Sequence, residues 1–216
     1  SNTVKITGTI DNPQVAGNIK FKRGSYNGIL LNGMTGDYFL DGDILRLQDF
    51  EITSPMVDMV LNGTINKNSQ VMDFVVEGRD IRLERFKAKL PENYTAEGHT
   101  TFEGIIKGTP EVPIFSGKLT ADEILLNGVA LTNIYGDIET NGANVYLDDF
   151  HFRDGEASCQ MQISMNLDTE NISGEIDVTK ANIAKMFTIA AQKNELIDGT
   201  LDSKILVSGT FNKPTG

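Results

Sequence analysis

What this chain lacks narrows its possible functions. Tryptophan is absent and cysteine occurs once, as Cys159, among 216 residues. A lone thiol closes no internal disulfide, so cysteine usage leaves the compartment open. Histidine occurs twice, as His99 and His151, and neither has a cysteine, histidine or carboxylate at metal-ligand spacing. No metal centre is expected. Basic residues are outnumbered 19 to 30, giving a formal net charge of −11. Without a clustered basic footprint the chain is not expected to bind nucleic acid, and its acidity disfavours anionic lipid headgroups. No apolar run approaches the roughly 18 residues of a membrane helix, and no signal-peptide pattern opens the chain. Ser1-Asn2 reads as a cleavage scar, with any targeting or anchoring segment expected outside this sequence.

Motifs that carry chemistry are equally scarce. Asp148-Asp149 is not an acid–base pair, because neighbouring residues on a strand point to opposite faces. Cys159 sits among apolar neighbours with no base nearby, which makes it a small hydrophobe rather than a nucleophile. The glycines from Gly24 to Gly36 lack both the Walker pattern and a helix directly after them. No acidic ladder has the spacing of a calcium loop. Sequons at Asn62, Asn93 and Asn171 fit chance in so Asn- and Thr-rich a chain. The chain is therefore expected to be no enzyme and to hold no cofactor.

What is present is a repeat. At an offset of 100 residues, Gly8-Thr9 falls on Gly108-Thr109, Pro13 on Pro113 and Gly17 on Gly117. Asn27-Gly28, Leu31, Gly36-Asp37, Gly42, Leu47 and Asp49-Phe50 also meet their equals. Farther on the offset reads as 101, pairing Phe86 with Phe187, Gly98 with Gly199 and Gly108-Thr109 with Gly209-Thr210. Shared turn formers and apolar positions in one register mark tandem units. The expected domains are 1–107, 108–208 and the start of a third unit at 209–216.

Within each unit strand periodicity dominates. Ala157, Cys159, Met161, Ile163, Met165 and Leu167 alternate with polar residues, as do Ile172, Gly174, Ile176 and Val178. Met72, Phe74 and Val76 share one side of a strand in the first unit. Asn32-Gly33, Asp41-Gly42, Asn62-Gly63, Asn141-Gly142 and Asp198-Gly199 read as turns. One irregularity recurs: Leu45 and Leu47 run out of phase with Phe50 and Ile52, and Val145 and Leu147 with Phe150 and Phe152. An extra residue at Gln48-Asp49 and at Asp148-Asp149 restores a common face, as a β-bulge does, and bends the strand. Asp80 is placed to cap a helix through Ile81, Leu83, Phe86 and Leu90, ended by Pro91. A second helix is expected over roughly Ala181 to Gln192.

The signature Gly-Thr, then Pro, then Gly opening an apolar strand stands at Gly8 to Gly17, recurs at Gly108 to Gly117 and begins again at Gly209. With a short helix after each set of strands, the chain resembles the AsmA-like superfamily, and within it the periplasmic repeat region of TamB-type proteins. The resemblance implies a mainly β fold of tandem repeats forming an elongated, curved, open β-groove (a β-taco) with one short helix per repeat. It implies a periplasmic stretch of a protein anchored in the inner membrane of a diderm bacterium. Its partners would be phospholipid or other apolar cargo and, through parts of the parent outside this chain, a BamA-like outer-membrane barrel. Such a groove would carry acyl chains or shield nascent outer-membrane protein strands.

The residues expected to line it are Cys159, Met161, Ile163, Met165, Leu167, Ile172, Ile176, Val178, Met72, Phe74, Val76, Leu45, Leu47, Phe50, Ile52, Val145, Leu147, Phe150 and Phe152. Flexible methionines suit variable apolar partners, and 5 tyrosines with 11 phenylalanines are few for two closed sandwich cores. The competing expectation is a structural β-repeat stalk or adhesin passenger with a closed core and no cargo. An open groove wall predicts that Ile163→Asp costs the fold only about 1–2 kcal/mol, because its carboxylate reaches water.

Overall fold

Short turns join the strands wherever the chain supplies residues that accept positive φ. Asn127 and Gly128 have φ of 49° and 80° and join two consecutive strands, positive values of the kind a primed hairpin turn uses. Gly42 and Gly142, at 56° and 60°, close two more reversals. The computed structural model describes residues 3–10, 13–26, 29–55, 57–89, 93–190, 198–210 and 213–215. Its strands are β1 (Val4–Gly8), β2 (Pro13–Tyr26), β3 (Ile29–Asp41), β4 (Ile44–Thr53), β5 (Asp58–Asn66), β6 (Met72–Arg82), β7 (Ala96–Gly108), β8 (Pro113–Leu126), β9 (Val129–Asn141), β10 (Asn144–Asp154), β11 (Ala157–Asn166), β12 (Asn171–Asn182), β13 (Thr200–Thr210) and β14 (Lys213–Thr215). They form an open sheet whose strand order is the chain order, with every described pairing antiparallel. The protein is mainly β, as the periodicity predicts.

Two compact units divide the chain: Ser1–Ile81 with Phe102–Ser116, and Arg82–Thr101 with Gly117–Gly216. In the first, β6 shows the alternation most clearly. Phe74 and Val76 are buried while Val75 between them is exposed. Phe102 stacks on Phe115 with ring centroids 4.1 Å apart. In the second unit, Ala121, Val129, Leu131 and Ile134 are buried together, flanked by Phe150 and Phe152. A neighbouring cluster joins Cys159, Val178 and Ala181.

The predicted bulges are present. In the β4–β5 pair Leu47 faces Gly63 and Phe50 faces Leu61, so Gln48 and Asp49 together oppose Asn62. In the β10–β11 pair Leu147 faces Ile163 and Phe150 faces Met161, leaving Asp148 and Asp149 opposite Gln162. Asp49 and Asp149 have φ of 46° and 47°, a conformation Asp tolerates better than most residues. Each bulge presses the following phenylalanine toward the adjacent strand. A Cβ on Gly36 would lie 2.6 Å from the Phe50 Cα, and one on Gly136 would lie 2.7 Å from the Phe150 Cα. These close approaches explain why the shared Gly36 and Gly136 carry no side chain.

Several local expectations change. Asn32-Gly33 and Asn62-Gly63 lie inside β3 and β5 rather than in turns. Gly63 is there because Phe74 packs across it: a Cβ on Gly63 would lie 2.7 Å from the Phe74 Cα. Asp80 caps no helix; it sits within β6 at φ 50°, and Lys180 occupies the matching place in β12 at φ 52°. The β12 residue belongs to a further bulge between Val178 and Ala181, where the Lys180 N–H donates to Asp202 Oδ1 at 2.6 Å. Leu83–Lys89 forms a 3-10 helix, whereas helix α1 (Ile183–Ile189) is α-helical. Asn182 caps α1 by accepting from the Lys185 N–H at 2.9 Å, and the matching Arg82 has no acceptor to offer. The two helical segments are still 100 residues apart, so the added residue falls after them, before Gly98 and Gly199. Residues 90, 91, 191 and 192, expected at the helix ends, lie outside the described residues, as do Asn27-Gly28, Met56 and Phe211-Asn212.

Candidate apolar binding site

Antiparallel register turns the predicted residues into transverse rows. In the second unit Val145 faces Met165 and Met165 faces Ile172; Leu147 faces Ile163, which faces Gly174. The next rows run Phe150–Met161–Ile176–Ile205 and Phe152–Cys159–Val178. Side chains at such opposed positions are in contact across strands. The first unit has the same arrangement: Leu45–Ile65–Met72, Leu47–Gly63–Phe74, Phe50–Leu61–Val76 and Ile52–Met59–Gly78. Both bulges serve this outcome, since without the extra residue Phe50 and Phe150 would turn to the opposite face.

Of the predicted residues, only Leu167 stands apart from these rows. It lies in the turn after β11 and is 57 % exposed. The turn is built by Asn166, whose Oδ1 accepts from the Asp168 and Thr169 N–H groups at 3.2 and 2.9 Å. Asn66 does the same for Asn68 and Ser69, both at 2.9 Å. Such a side-chain turn stops the alternation before residue 167. Met161, Met165, Ile172 and Ile176 are half-buried, as are Leu45, Leu47, Ile52, Val145, Leu147, Phe150, Phe152 and Met72. Ile163 is 6 % exposed. Its Cδ1 lies 2.9 Å from the point where Gly174 would carry a Cβ, so it folds over that glycine. This corrects the expectation that an Ile163→Asp carboxylate would reach water.

Helix α1 completes a pocket in the second unit. A cavity of about 230 Å³ lies between the helix and the sheet, lined by Phe152, Cys159, Met161, Ile176, Val178, Ala181 and Ile205 from the strands and by Met186 and Ile189 from α1. Among the described residues its charged lining is Asp154 and Lys185, which are paired at 2.6 Å. Burial, reinforced by Asp177, pushes the Cys159 thiol up from 9.0 to about 12, so the sulfur stays protonated and unreactive. The expected lining leaves out Ala181, Leu61 and Ile65: Ala181 is hidden by the bulge at Lys180, whereas Leu61-Asn62-Gly63-Thr64-Ile65 does alternate. Ile205, which alternates with Leu201 and Val207, and Met186, on the apolar face of the helix expected over roughly Ala181 to Gln192, are legible as apolar positions though not as pocket lining.

The opposite face is more polar. Asp148 and Asp149, expected on opposite faces, both lie here because the bulge breaks the alternation, and with Gln160, Met161, Gln162, Glu175 and Asp177 they surround a smaller cavity. Gln162 Nε2 donates to Asp148 Oδ1 at 2.6 Å, and Gln160 Nε2 to Asp149 Oδ1 at 3.2 Å. His151, 2.7 Å from the same carboxylate through Nε2, also stacks on Tyr135. Among the described residues no group of three or more His, Cys, Asp or Glu side chains is placed to hold a metal ion, and no helix is long and apolar enough to cross a membrane. Comparison with protein-family models, curated proteins and solved structures finds no match.

Proposed function

We propose that this chain is a periplasmic stretch of an inner-membrane-anchored, TamB-type protein of the AsmA-like superfamily, and that its apolar β-face carries phospholipid acyl chains between the two membranes. The observation that carries the reading is the set of transverse apolar rows on an open sheet. Most of their side chains remain half-buried, as those of a face that receives a partner would. Two properties add support. Methionines at rows otherwise filled by Ile, Leu and Phe give a deformable surface. Bulges at matching places bend and twist their strands, which suits tandem units forming an open β-groove. The face offers no base or nucleophile to an ester or peptide bond, and the proposal assigns it no catalytic step.

A stalk with a closed core is the weaker reading, because an open sheet leaves the rows without a second sheet to fill against. The test is transfer of a fluorescent phospholipid from donor vesicles of phosphatidylethanolamine and phosphatidylglycerol. The chain should accelerate transfer, and Met165→Asp, checked by thermal melting to be folded, should reduce it at least about tenfold through the lost apolar contact. Transfer no faster than with an unrelated acidic β-protein would overturn the reading. If the chain instead keeps an unfolded outer-membrane protein soluble without moving lipid, the role passes to shielding nascent strands.

A further inference from the structure

We propose that the cavity under α1 is a discrete, saturable site for the end of one alkyl chain, inserted tail first. This deepens the acyl-chain reading and rests on it. Three observations carry it beyond a generally greasy face.

The first is size. At about 230 Å³ the cavity exceeds the roughly 150 Å³ engineered apolar cavity that stays dry and takes up benzene. Several methylenes of an alkyl chain fit a space of that volume and apolar lining. The second is rigidity. A cavity persists only where the surrounding structure cannot relax into it, and α1 is fixed at both ends. Asn182 holds its first turn through the Lys185 N–H at 2.9 Å. At its last turn Asn127 Nδ2 donates to the Thr188 and Ile189 carbonyls at 3.2 and 3.1 Å, and the Tyr94 hydroxyl donates to the Ala190 carbonyl at 3.3 Å. The carbonyls that a helix end leaves without partners are thereby satisfied, and the helix is held above the sheet. The third is charge. Lys185 and Asp154 neutralise each other at 2.6 Å, and Lys185 is half exposed. The described rim residues therefore offer a headgroup no net charge, so recognition belongs to the tail while the headgroup stays in water.

The experiment follows carbon-labelled methionine methyls by NMR while alkylphosphocholines are added below their micelle-forming concentrations. Met161 and Met186 line the cavity; Met72, in the first unit's rows, reports on the apolar face away from it. Dodecylphosphocholine should shift Met161 and Met186 along saturable curves that leave Met72 unmoved. From hexyl toward dodecyl the affinity should rise about fourfold for each methylene that still finds room, then level off. Dodecyl maltoside should bind within about threefold of dodecylphosphocholine, because the rim is neutral. Ala181→Leu, which fills the cavity, should weaken binding at least about tenfold; if that variant does not fold, the chain-length series on the native chain decides alone. Equal, unsaturated shifts at Met72 and Met161, or a folded Ala181→Leu that binds like the native chain, would overturn the discrete site and leave the acyl-chain face standing. No shift at any methionine with any tail would overturn both.

Discussion

Two equivalent rows of the sheet solve one packing problem in opposite ways. In the first unit the row runs Leu47–Gly63–Phe74; in the second it runs Leu147–Ile163–Gly174. The glycine has moved one strand along, and the bulky residue has moved the other way. In each case the facing strand lies across the glycine, backbone and side chain together: the Asp73 carbonyl and Phe74 leave no room for a Cβ on Gly63, and the Gln162 carbonyl and Ile163 none for one on Gly174. What is kept is the register and the pairing of one glycine with one large apolar side chain, since close-packed interiors constrain packing more tightly than residue identity. The bulges teach the same lesson in polar terms. Asp49 and Asp149 share a left-handed backbone, yet the Asp49 N–H donates to Asn62 Oδ1 at 2.8 Å while the Asp149 N–H donates to Asp148 Oδ1 at 3.0 Å.

Ways of breaking this comparison fall in order of size. Ile163→Asp places an unpaired carboxylate in a site 6 % exposed. It should cost at least about 4 kcal/mol and unfold the second unit, read as loss of its cooperative thermal transition. Exchanging the row tests the packing argument directly. Ile163→Gly alone should cost about 3–5 kcal/mol, and Gly174→Phe alone about 2–3 kcal/mol through overpacking. Together they reproduce the first unit's order and clear the Ile163 side chain, but the Gln162 carbonyl still stands against a Cβ at residue 174. A double-mutant cycle of denaturant unfolding should therefore recover no more than about 1 kcal/mol. Full recovery would contradict the backbone account.

An effect that reaches comparable size only at strongly alkaline pH separates Cys159 from Met59, its counterpart 100 residues earlier. Burial, with Asp177, raises the folded thiol from 9.0 to about 12. A raised pKa favours the protonated form in the folded state. That contribution is complete below pH 9.0 and is lost as pH climbs toward about 12. The loss should be about 1.4 kcal/mol per pH unit, and Cys159→Ala should remove this part of the alkaline slope in urea melts. The smallest expected change is at the helices. Asn182→Ala should cost about 1 kcal/mol as α1 loses its cap, and Arg82→Asn should stabilise the 3-10 segment by a similar or smaller amount.

The faces and the bulges were legible in the sequence because both follow from local periodicity. The switch from Leu47 to Phe50 breaks period two at one place, and one inserted residue mends it. What was not legible depends on partners remote along the chain. Gly63 reads as a turn until Phe74 is known to lie across it. Asp80 reads as a cap because nothing local shows that the strand passes through it at φ 50° and runs on to Arg82. The pocket under α1 needs Asn127 and Tyr94 to reach carbonyls 61 or more residues away, and no window of sequence contains both sides of those bonds.

The central claim is that the apolar rows take up acyl chains, and the most direct measurement is lipid analysis of the chain produced in a diderm host. The protein would be purified without detergent, extracted into organic solvent and quantified by mass spectrometry against protein. The account predicts phospholipid at about one molecule or more per chain, displaced by dodecylphosphocholine and reduced in Met165→Asp. A chain that emerges free of lipid, and stays so after incubation with phospholipid vesicles, would contradict it.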